Sequence, residues 1–144
     1  MTTELRFTAF GEPAPQGSKK YVGNGRFVEA SKKLKPWRAA VADAVFQTWV
    51  KEEQLQFVNP VVVFATFYIP RPKSVRRLLP AVAPDLDKLQ RALGDALSVD
   101  AGVIADDGLI VKWVTEKLYA DDHAPGVVCL IREIENVETV RVTA

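Results

Sequence analysis

Six aspartates lie within 23 residues near the middle of the chain, between positions 85 and 107. Asp85 and Asp87 are separated by one residue, and Asp106 and Asp107 are adjacent. Carboxylate oxygens are hard ligands that suit a divalent cation such as Mg²⁺. A basic segment, RPKSVRR at positions 71–77, comes shortly before them and could bind phosphates. Together these residue types favour hydrolysis of a nucleic-acid phosphodiester.

The first pair of aspartates brackets the start of a helix predicted over 86–97. One aspartate at a helix N-terminus is explained by capping and by the helix dipole, which contribute about 1 kcal/mol. Two aspartates after a basic loop exceed what capping requires. Asp87, Arg91 and Asp95 are spaced at i, i+4 and i+8 on one helix face. In one reading they form an exposed row of ion pairs. In the other, Arg91 binds a phosphate beside a metal held by Asp87, and Asp95 only holds Arg91 in place.

The second pair precedes a strand predicted over 109–118. The sequence Asp106-Asp107-Gly108 is also a common turn. Successive side chains of an extended segment point in opposite directions. We therefore expect only one of the two aspartates to bind metal, provided that the turn folds back to the start of the helix.

Hydrophobic periodicity and turn residues predict the elements that must position these side chains. Pro70 and three further prolines up to position 84 indicate an extended loop before the aspartate-bearing helix. The order β-α-β-α-β-β predicts a single α/β (α+β) domain over 1–144, with a mixed sheet and two main helices. The predicted elements are a strand at 5–10, a small hairpin at 21–28, a helix at 31–53 capped by Ser31, a central strand at 61–68, the helix at 86–97, strands at 109–118 and 127–135 joined as an antiparallel hairpin, and an edge strand at 138–142.

Composition narrows the class of protein. With 48% hydrophobic residues, 26% charged residues and a net charge of +1, the chain is typical of a soluble globular protein. Cys129 is the only cysteine, which excludes an internal disulfide and a Cys-based zinc site. His123 is the only histidine and lies in a polar turn, which argues against a His-rich metal site and against Ser-His-Asp catalysis. No apolar run resembles a signal peptide or a membrane span. We expect a cytoplasmic protein that does not bind membranes.

The order of these features resembles the RusA family of Holliday junction resolvases. The opening is also similar, with a strand that runs into a Pro-containing basic loop at 13–20 and then a long helix. The resemblance covers most of the chain, and its specific part is confined to about 76–110. The matching residues are Asp85-Leu86-Asp87-Lys88-Leu89, Arg91, Asp95-Ala96-Leu97 and Asp106-Asp107.

The resemblance implies a homodimeric, Mg²⁺-dependent endonuclease, with Mn²⁺ as a substitute metal, that places paired nicks across a four-way DNA junction. By motif position, Asp85, Asp87 and Asp107 match metal-binding carboxylates. Arg91 occupies the place of a catalytic lysine. Arginine keeps the positive charge but does not deprotonate, so an electrostatic role is retained and a proton-transfer role is not, unless Lys88 supplies it.

Basic residues on the loops would contact DNA phosphates, and such contacts are insensitive to sequence. An aromatic residue of the N-terminal hairpin, Tyr21 or Phe27, either enters the centre of a junction or packs the hairpin onto the body. The dimer surface is either segment 109–135 or the first helix, which carries Trp37 and Trp49. The candidate DNA-binding residues are Lys19, Lys20, Arg26, Arg71, Lys73, Arg76, Arg77 and Lys88.

Two other functions fit parts of the sequence. In a non-catalytic DNA-binding protein the aspartates would cap helices, and binding would need no Mg²⁺. In a metal-dependent enzyme for a small phosphorylated substrate, Asp85-Leu86-Asp87 would be the nucleotide–metal motif. The second requires a phosphate cradle, and the chain has neither G-x-G-x-x-G nor a P-loop.

Overall fold

The computed structural model describes residues 3–17, 19–29, 32–51 and 56–134. Helix α2 (Leu86–Asp95) continues into a π-helical turn, Ala96–Asp100, and a 3₁₀ turn, Asp107–Leu109, precedes the fifth strand. The predicted mixed α+β class is confirmed, with two helices and the expected order of elements. Those elements are β1 (Glu4–Phe10), β2 (Lys19–Gly23), β3 (Arg26–Glu29), α1 (Leu34–Lys51), β4 (Val61–Ile69), α2 (Leu86–Asp95), β5 (Ile110–Tyr119) and β6 (Gly126–Glu133).

Among the described residues, four strands form the main sheet in the order β1-β6-β4-β5. Strand β6 runs antiparallel to β1 and β4, and β5 runs parallel to β4. The predicted antiparallel hairpin of β5 and β6 is therefore wrong. Strand β6 carries buried Val127, Cys129 and Ile131 and lies inside the sheet, whereas β5 exposes charged Lys112 and Glu116. A charged strand is suited to a sheet edge, so β5 forms the edge beside β4.

The crossover from β4 to β5 carries the aspartate-bearing helix. Parallel neighbours need a long connection, and here that connection contains the proline-rich loop, α2 and both short turns. The backbone of Phe57 fixes the end of this crossover: its N–H donates to the Val103 carbonyl at 2.8 Å, and its carbonyl accepts from Ala105 N–H at 3.0 Å. These bonds hold the segment that leads into Asp106 and Asp107.

The core lies between the sheet and the two helices. Strand β1 buries alternate residues, Leu5, Phe7 and Ala9, as expected for a strand with one face against a core. Leu89 and Leu93 of α2 are fully buried, four residues apart, and this spacing places them on one helix face. The first turn of α2 is thereby anchored by its apolar side, which leaves its polar side for the site.

The predicted hairpin before α1 is also confirmed. Strands β2 and β3 pair antiparallel around Asn24 and Gly25, both with positive φ (53° and 71°), which is the conformation that favours Asn-Gly in tight hairpins.

The ends of the predicted helix at 31 and 52–53 and the predicted edge strand at 138–142 lie outside the described residues. Within the described part of the chain, no helix has the length and apolar character needed to cross a membrane.

Candidate active site

A polar pocket of about 220 Å³ lies between α2, the 3₁₀ turn and the start of β5. Its α2 residues are spaced at i, i+3, i+4 and i+7, so they form one face of that helix. The 3₁₀ turn contributes one carboxylate, and β5 contributes an aromatic wall. The lining residues are Asp87, Gln90, Arg91, Gly94, Asp107, Ile110 and Trp113.

The pocket brings Asp87 and Asp107 together although 20 residues separate them in sequence. Asp106 has a different environment. Its Oδ2 atom accepts a hydrogen bond from Gly108 N–H at 2.9 Å, so it caps the 3₁₀ turn. Asp107 lines the pocket and Asp106 does not, while the expectation that only one of the two binds metal stays a prediction.

Asp85 is the N-cap residue of α2, but its side chain makes no capping hydrogen bond. Its backbone carbonyl accepts from Lys88 N–H and Leu89 N–H, each at 3.1 Å. Its carboxylate lies 3.8 Å from Lys88 Nζ and does not line the pocket. Side-chain capping therefore does not explain the aspartate at this position, and its role as a metal ligand stays a prediction.

The carboxylates of the pocket fall short of a complete metal site. Among the described residues, no three His, Cys, Asp or Glu side chains are grouped closely enough to hold a metal ion. The structure thus brings Asp87 and Asp107 together but does not add Asp85 to them. Mg²⁺ retains several waters and binds proteins through one or two carboxylates plus substrate phosphates. Two carboxylates beside an open pocket fit that chemistry.

The cation of the pocket, Arg91, is packed against the N-terminal loop. Gly17 has φ of +100°, and a Cβ atom at this position would lie 2.5 Å from Nη1 of Arg91. The neighbouring Gln16 N–H donates to the Lys88 carbonyl at 3.1 Å. The loop that leads to the basic hairpin therefore lies directly on α2, beside the pocket.

Asp95 does not hold Arg91. Its carboxylate instead accepts a hydrogen bond from the Gln16 side-chain amide and lies 3.9 Å from Nη1 of Arg38 on α1. Arg38 also donates to both carboxylate oxygens of Asp100, at 2.6 and 3.1 Å, and to Gln16 Oε1 at 3.3 Å. These four side chains, which we call the Arg38 cluster (Gln16, Arg38, Asp95, Asp100), join the loop, α1 and the end of α2.

Arg71, one of the predicted DNA contacts, makes several contacts within the protein. Its guanidinium donates to both carboxylate oxygens of Asp121 at 2.7 and 2.9 Å and to the Arg77 carbonyl at 2.7 Å. It also lies 4.1 Å from the ring centre of Tyr119. The hydrogen bond between the partners raises the pKa of Arg71 and lowers the pKa of Asp121. Arg71 therefore holds the loop before α2 in place, whether or not it also contacts DNA.

The other predicted DNA contacts lie on two segments. Lys19 and Lys20 belong to strand β2. Lys73, Arg76 and Arg77 are exposed on the loop before α2, and Arg77 Nη1 donates to the Tyr119 hydroxyl at 3.0 Å.

Sequence reasoning missed four residues around the pocket. Gln90 accepts a hydrogen bond from the Thr115 hydroxyl of β5, and Trp113 packs against Gly94, where a Cβ atom would lie 3.6 Å from the ring. Gln90 could have been found, because it lies one turn from Asp87 on the same helix face. No local signal marked Trp113, Gln16 or Arg38, because their contacts depend on the tertiary fold.

Comparison with known proteins decides the family. A family model described as endodeoxyribonuclease RusA matches residues 11–132. The chain belongs to the RusA family. The matched range contains every residue that lines the pocket, and it confirms the resemblance drawn from the aspartate-rich segment. No curated protein matches the chain.

For this RusA-family chain, the pocket coincides with the specific part of the motif. One cavity is lined by the three residues to which the motif resemblance gives metal-binding or catalytic roles: Asp87, Arg91 and Asp107. The neighbouring motif residues have other partners: Asp95 accepts from the Gln16 side chain, and Asp106 accepts from the backbone N–H of Gly108. The motif thus combines residues that line the pocket with residues that hold it in place.

Proposed function

We propose that this protein is a Mg²⁺-dependent endodeoxyribonuclease that resolves four-way DNA junctions by paired symmetric nicks. The observation that supports this function is the placement of Asp87, Asp107 and Arg91 around one pocket in a RusA-family chain. A pocket of about 220 Å³ that is open to solvent suits a phosphate on a polymer backbone better than an enclosed metabolite.

In this mechanism Asp87 and Asp107 would hold Mg²⁺ or Mn²⁺ from the pocket, and the family motif adds Asp85 as a third carboxylate ligand. When bound, the metal would polarise an oxygen of the scissile phosphate and lower the pKa of a water bound to it. Arg91 donates to a non-bridging oxygen of the scissile phosphate and stabilises the extra negative charge of the transition state. Because its guanidinium stays protonated, Arg91 does not act as a general base.

The basic residues of the two loops would hold the arms of the junction through their phosphates. Lys73 and Arg76 are exposed on the loop before α2, and Lys88 lies in the first turn of that helix. Lys19 and Lys20 would act from the N-terminal hairpin. Such contacts release counterions, so junction binding should weaken steeply with salt.

Paired nicks across a twofold-symmetric junction require two sites related by a twofold axis, so we propose a homodimer. The sheet face opposite the helices supports one of the two surfaces considered from sequence. Arg6, Leu130, Phe64 and Val114 lie side by side across it and line a concavity of about 740 Å³. Arg6 on one edge strand and Glu116 on the other place opposite charges at its two ends, which suits pairing about a twofold axis.

Cleavage of a synthetic four-way junction tests this function directly. The protein is assayed with Mg²⁺, with EDTA and as the Asp87→Asn variant, and Asp122→Asn in an exposed turn is the matched control. We expect symmetric nicks that require both Mg²⁺ and Asp87 and are retained by the control. Tight junction binding without cleavage in any divalent metal would instead identify a non-catalytic DNA-binding protein.

The role of Arg91 is tested by two substitutions. Arg91→Lys keeps the charge and should lower kcat by about tenfold or less, whereas Arg91→Gln should lower it by about 100-fold or more. Equal loss in both variants would show that the planar guanidinium, rather than its charge alone, is required.

A further inference from the structure

Leu78 and Leu79 are held out in solvent on the loop that joins β4 to α2. Leu78 is 82% exposed and Leu79 is 56% exposed. A scattered exposed apolar side chain is ordinary, but two adjacent leucines at this exposure form an apolar tip. Adjacent exposed apolar side chains are a candidate contact surface for another molecule.

The backbone on both sides of this tip is fixed, so the exposure is a property of the folded loop. On the N-terminal side, Arg71 donates to the carbonyls of Val75 and Arg77 at 3.3 and 2.7 Å. On the C-terminal side, Lys117 Nζ donates to the carbonyls of Val82 and Pro84 at 2.7 and 2.8 Å. At the tip itself, Ala81 N–H donates to the Leu79 carbonyl at 2.8 Å.

The charges around the tip specify the kind of partner. Positions 70–84 contain four basic residues and no acidic residue. Arg71 is paired with Asp121, whereas Lys73 and Arg76 are exposed. Cations beside an apolar tip match a surface that offers phosphates next to exposed base faces. Base faces are covered by stacking within a duplex and become accessible where stacking is interrupted, as apolar wedges in other DNA-binding proteins exploit.

We propose that Leu78 and Leu79 enter the open centre of branched DNA and contact the base faces at the crossover. This proposal rests on the proposed function and adds a contact that would select branched DNA over duplex. The tip is six residues from Asp85, the N-cap of α2. A chain of that length spans at most about 22 Å, or about six base-pair steps, so the pocket would face a phosphate close to the crossover.

The test uses the protein in EDTA, which prevents metal-dependent cleavage, and a four-way junction with 2-aminopurine at the crossover. We expect wild-type binding to raise the fluorescence at the crossover and not that of a probe in the middle of one arm. The double variant Leu78→Ser, Leu79→Ser should lose most of this rise. Its preference for the junction over a duplex should fall by about tenfold, a loss of the size seen when a base contact is removed. Its affinity for the duplex, which depends on phosphates, should change by less than about twofold.

Val58→Ser, at a site 61% exposed elsewhere on the surface, is the matched control and should behave like the wild type. An unchanged fluorescence rise in the double variant overturns the wedge. A change of its mass by light scattering also overturns it, because the leucines would then belong to a subunit interface. If the wild type prefers the junction without any fluorescence rise, the wedge fails and the proposed function stands. If the wild type shows no preference for the junction, the proposed function itself fails.

Discussion

Gly17 lies against the guanidinium of Arg91 so closely that a Cβ atom at position 17 would be 2.5 Å from Nη1. Gly17 also has φ of +100°, a backbone conformation that other residues adopt only with strain. The glycine therefore allows the N-terminal loop to pack on α2 and restricts the space open to Arg91. Because Arg91 lines the pocket, this contact connects the loop to the proposed chemistry.

Gly17→Ala should lower nuclease activity more than it lowers stability. The added methyl group meets the end of a flexible side chain, so Arg91 moves while the fold is retained. We expect kcat on a four-way junction to fall by about tenfold, comparable to the loss of one oriented donor to the transition state. The strained φ should also decrease the free energy of unfolding by about 1–2 kcal/mol.

Gly23→Ala separates these two effects. Gly23 has nearly the same φ, +95°, but a Cβ atom there would meet nothing within 4 Å. The Gly23→Ala variant should therefore lose about as much thermal stability as Gly17→Ala but keep a near-normal kcat. Equal kcat values for the two variants would show that the contact with Arg91 has no part in the reaction.

Asp107→Asn and Asp106→Asn should differ sharply although the residues are neighbours. Asp107 lines the pocket with Asp87, so loss of its charge should lower kcat by about 100-fold or more. Asp106 accepts a hydrogen bond from Gly108 N–H, and an asparagine side chain can accept the same bond. The Asp106→Asn variant should therefore stay within a few-fold of wild type in a junction cleavage assay at saturating Mg²⁺.

An isothermal titration with Mn²⁺ adds a readout that does not depend on turnover. The Asp107→Asn variant should bind the metal more weakly, and Asp106→Asn should bind it like the wild type. If Asp106→Asn weakened Mn²⁺ binding and Asp107→Asn did not, Asp106 would be the metal ligand, and its hydrogen bond with Gly108 N–H would not be its main role.

The local part of the site was readable from the sequence, and the tertiary part was not. Asp87 and Arg91 are one helical turn apart, so a helix prediction alone places them on one face. The distance between Asp107 and Asp87 depends on the parallel crossover from β4 to β5. Sequence proximity suggested instead that β5 pairs with β6, because hairpins are the commonest connection between successive strands.

Contacts between distant segments explain the residues that were missed. Gln16 and Asp95 are 79 positions apart, and Arg38 and Asp100 are 62 positions apart. A polar residue on a helix is most simply read as solvent-exposed, so Arg38 gave no signal. Asp95 was misread for the same reason: Arg91 is its nearest cation in sequence, while Arg38 is its partner in the fold.

Arg38→Met should loosen the N-terminal loop and impair the reaction indirectly. The substitution keeps much of the aliphatic length but removes the donors to Asp100 and Gln16. It leaves Asp95 and Asp100 without their cation in a half-buried position. Because Arg38 is only 22% exposed, we expect a decrease of about 1–2 kcal/mol in the free energy of unfolding.

Lys35→Met, at an exposed position one turn earlier on α1, is the matched control and should change stability by less than about 0.5 kcal/mol. A positioning role predicts that Arg38→Met raises KM for the junction while Arg38→Lys restores part of the affinity. Loss of stability without any change in KM or kcat would leave the Arg38 cluster a purely structural feature.

Asp121→Asn should destabilise the loop before α2 in a pH-dependent manner. The hydrogen bond from Arg71 lowers the pKa of Asp121 in the folded protein. A carboxyl group whose pKa is lowered by folding stabilises the protein above its unfolded pKa of about 3.9 and loses that effect as the pH falls through the folded value. The wild type should therefore melt at a slightly higher temperature than the variant at pH 7, by about 2 °C or less for so exposed a pair.

Melting temperatures measured between pH 7 and pH 3 check this sign. The difference between wild type and Asp121→Asn should be constant near neutrality and should shrink below about pH 4. Asp122→Asn, in the same turn, is the control for loss of a surface charge. A difference that grew as the pH fell would contradict the role of Asp121 as the ionised partner of Arg71, and the loop that carries Leu78 would then be fixed by its carbonyl contacts alone.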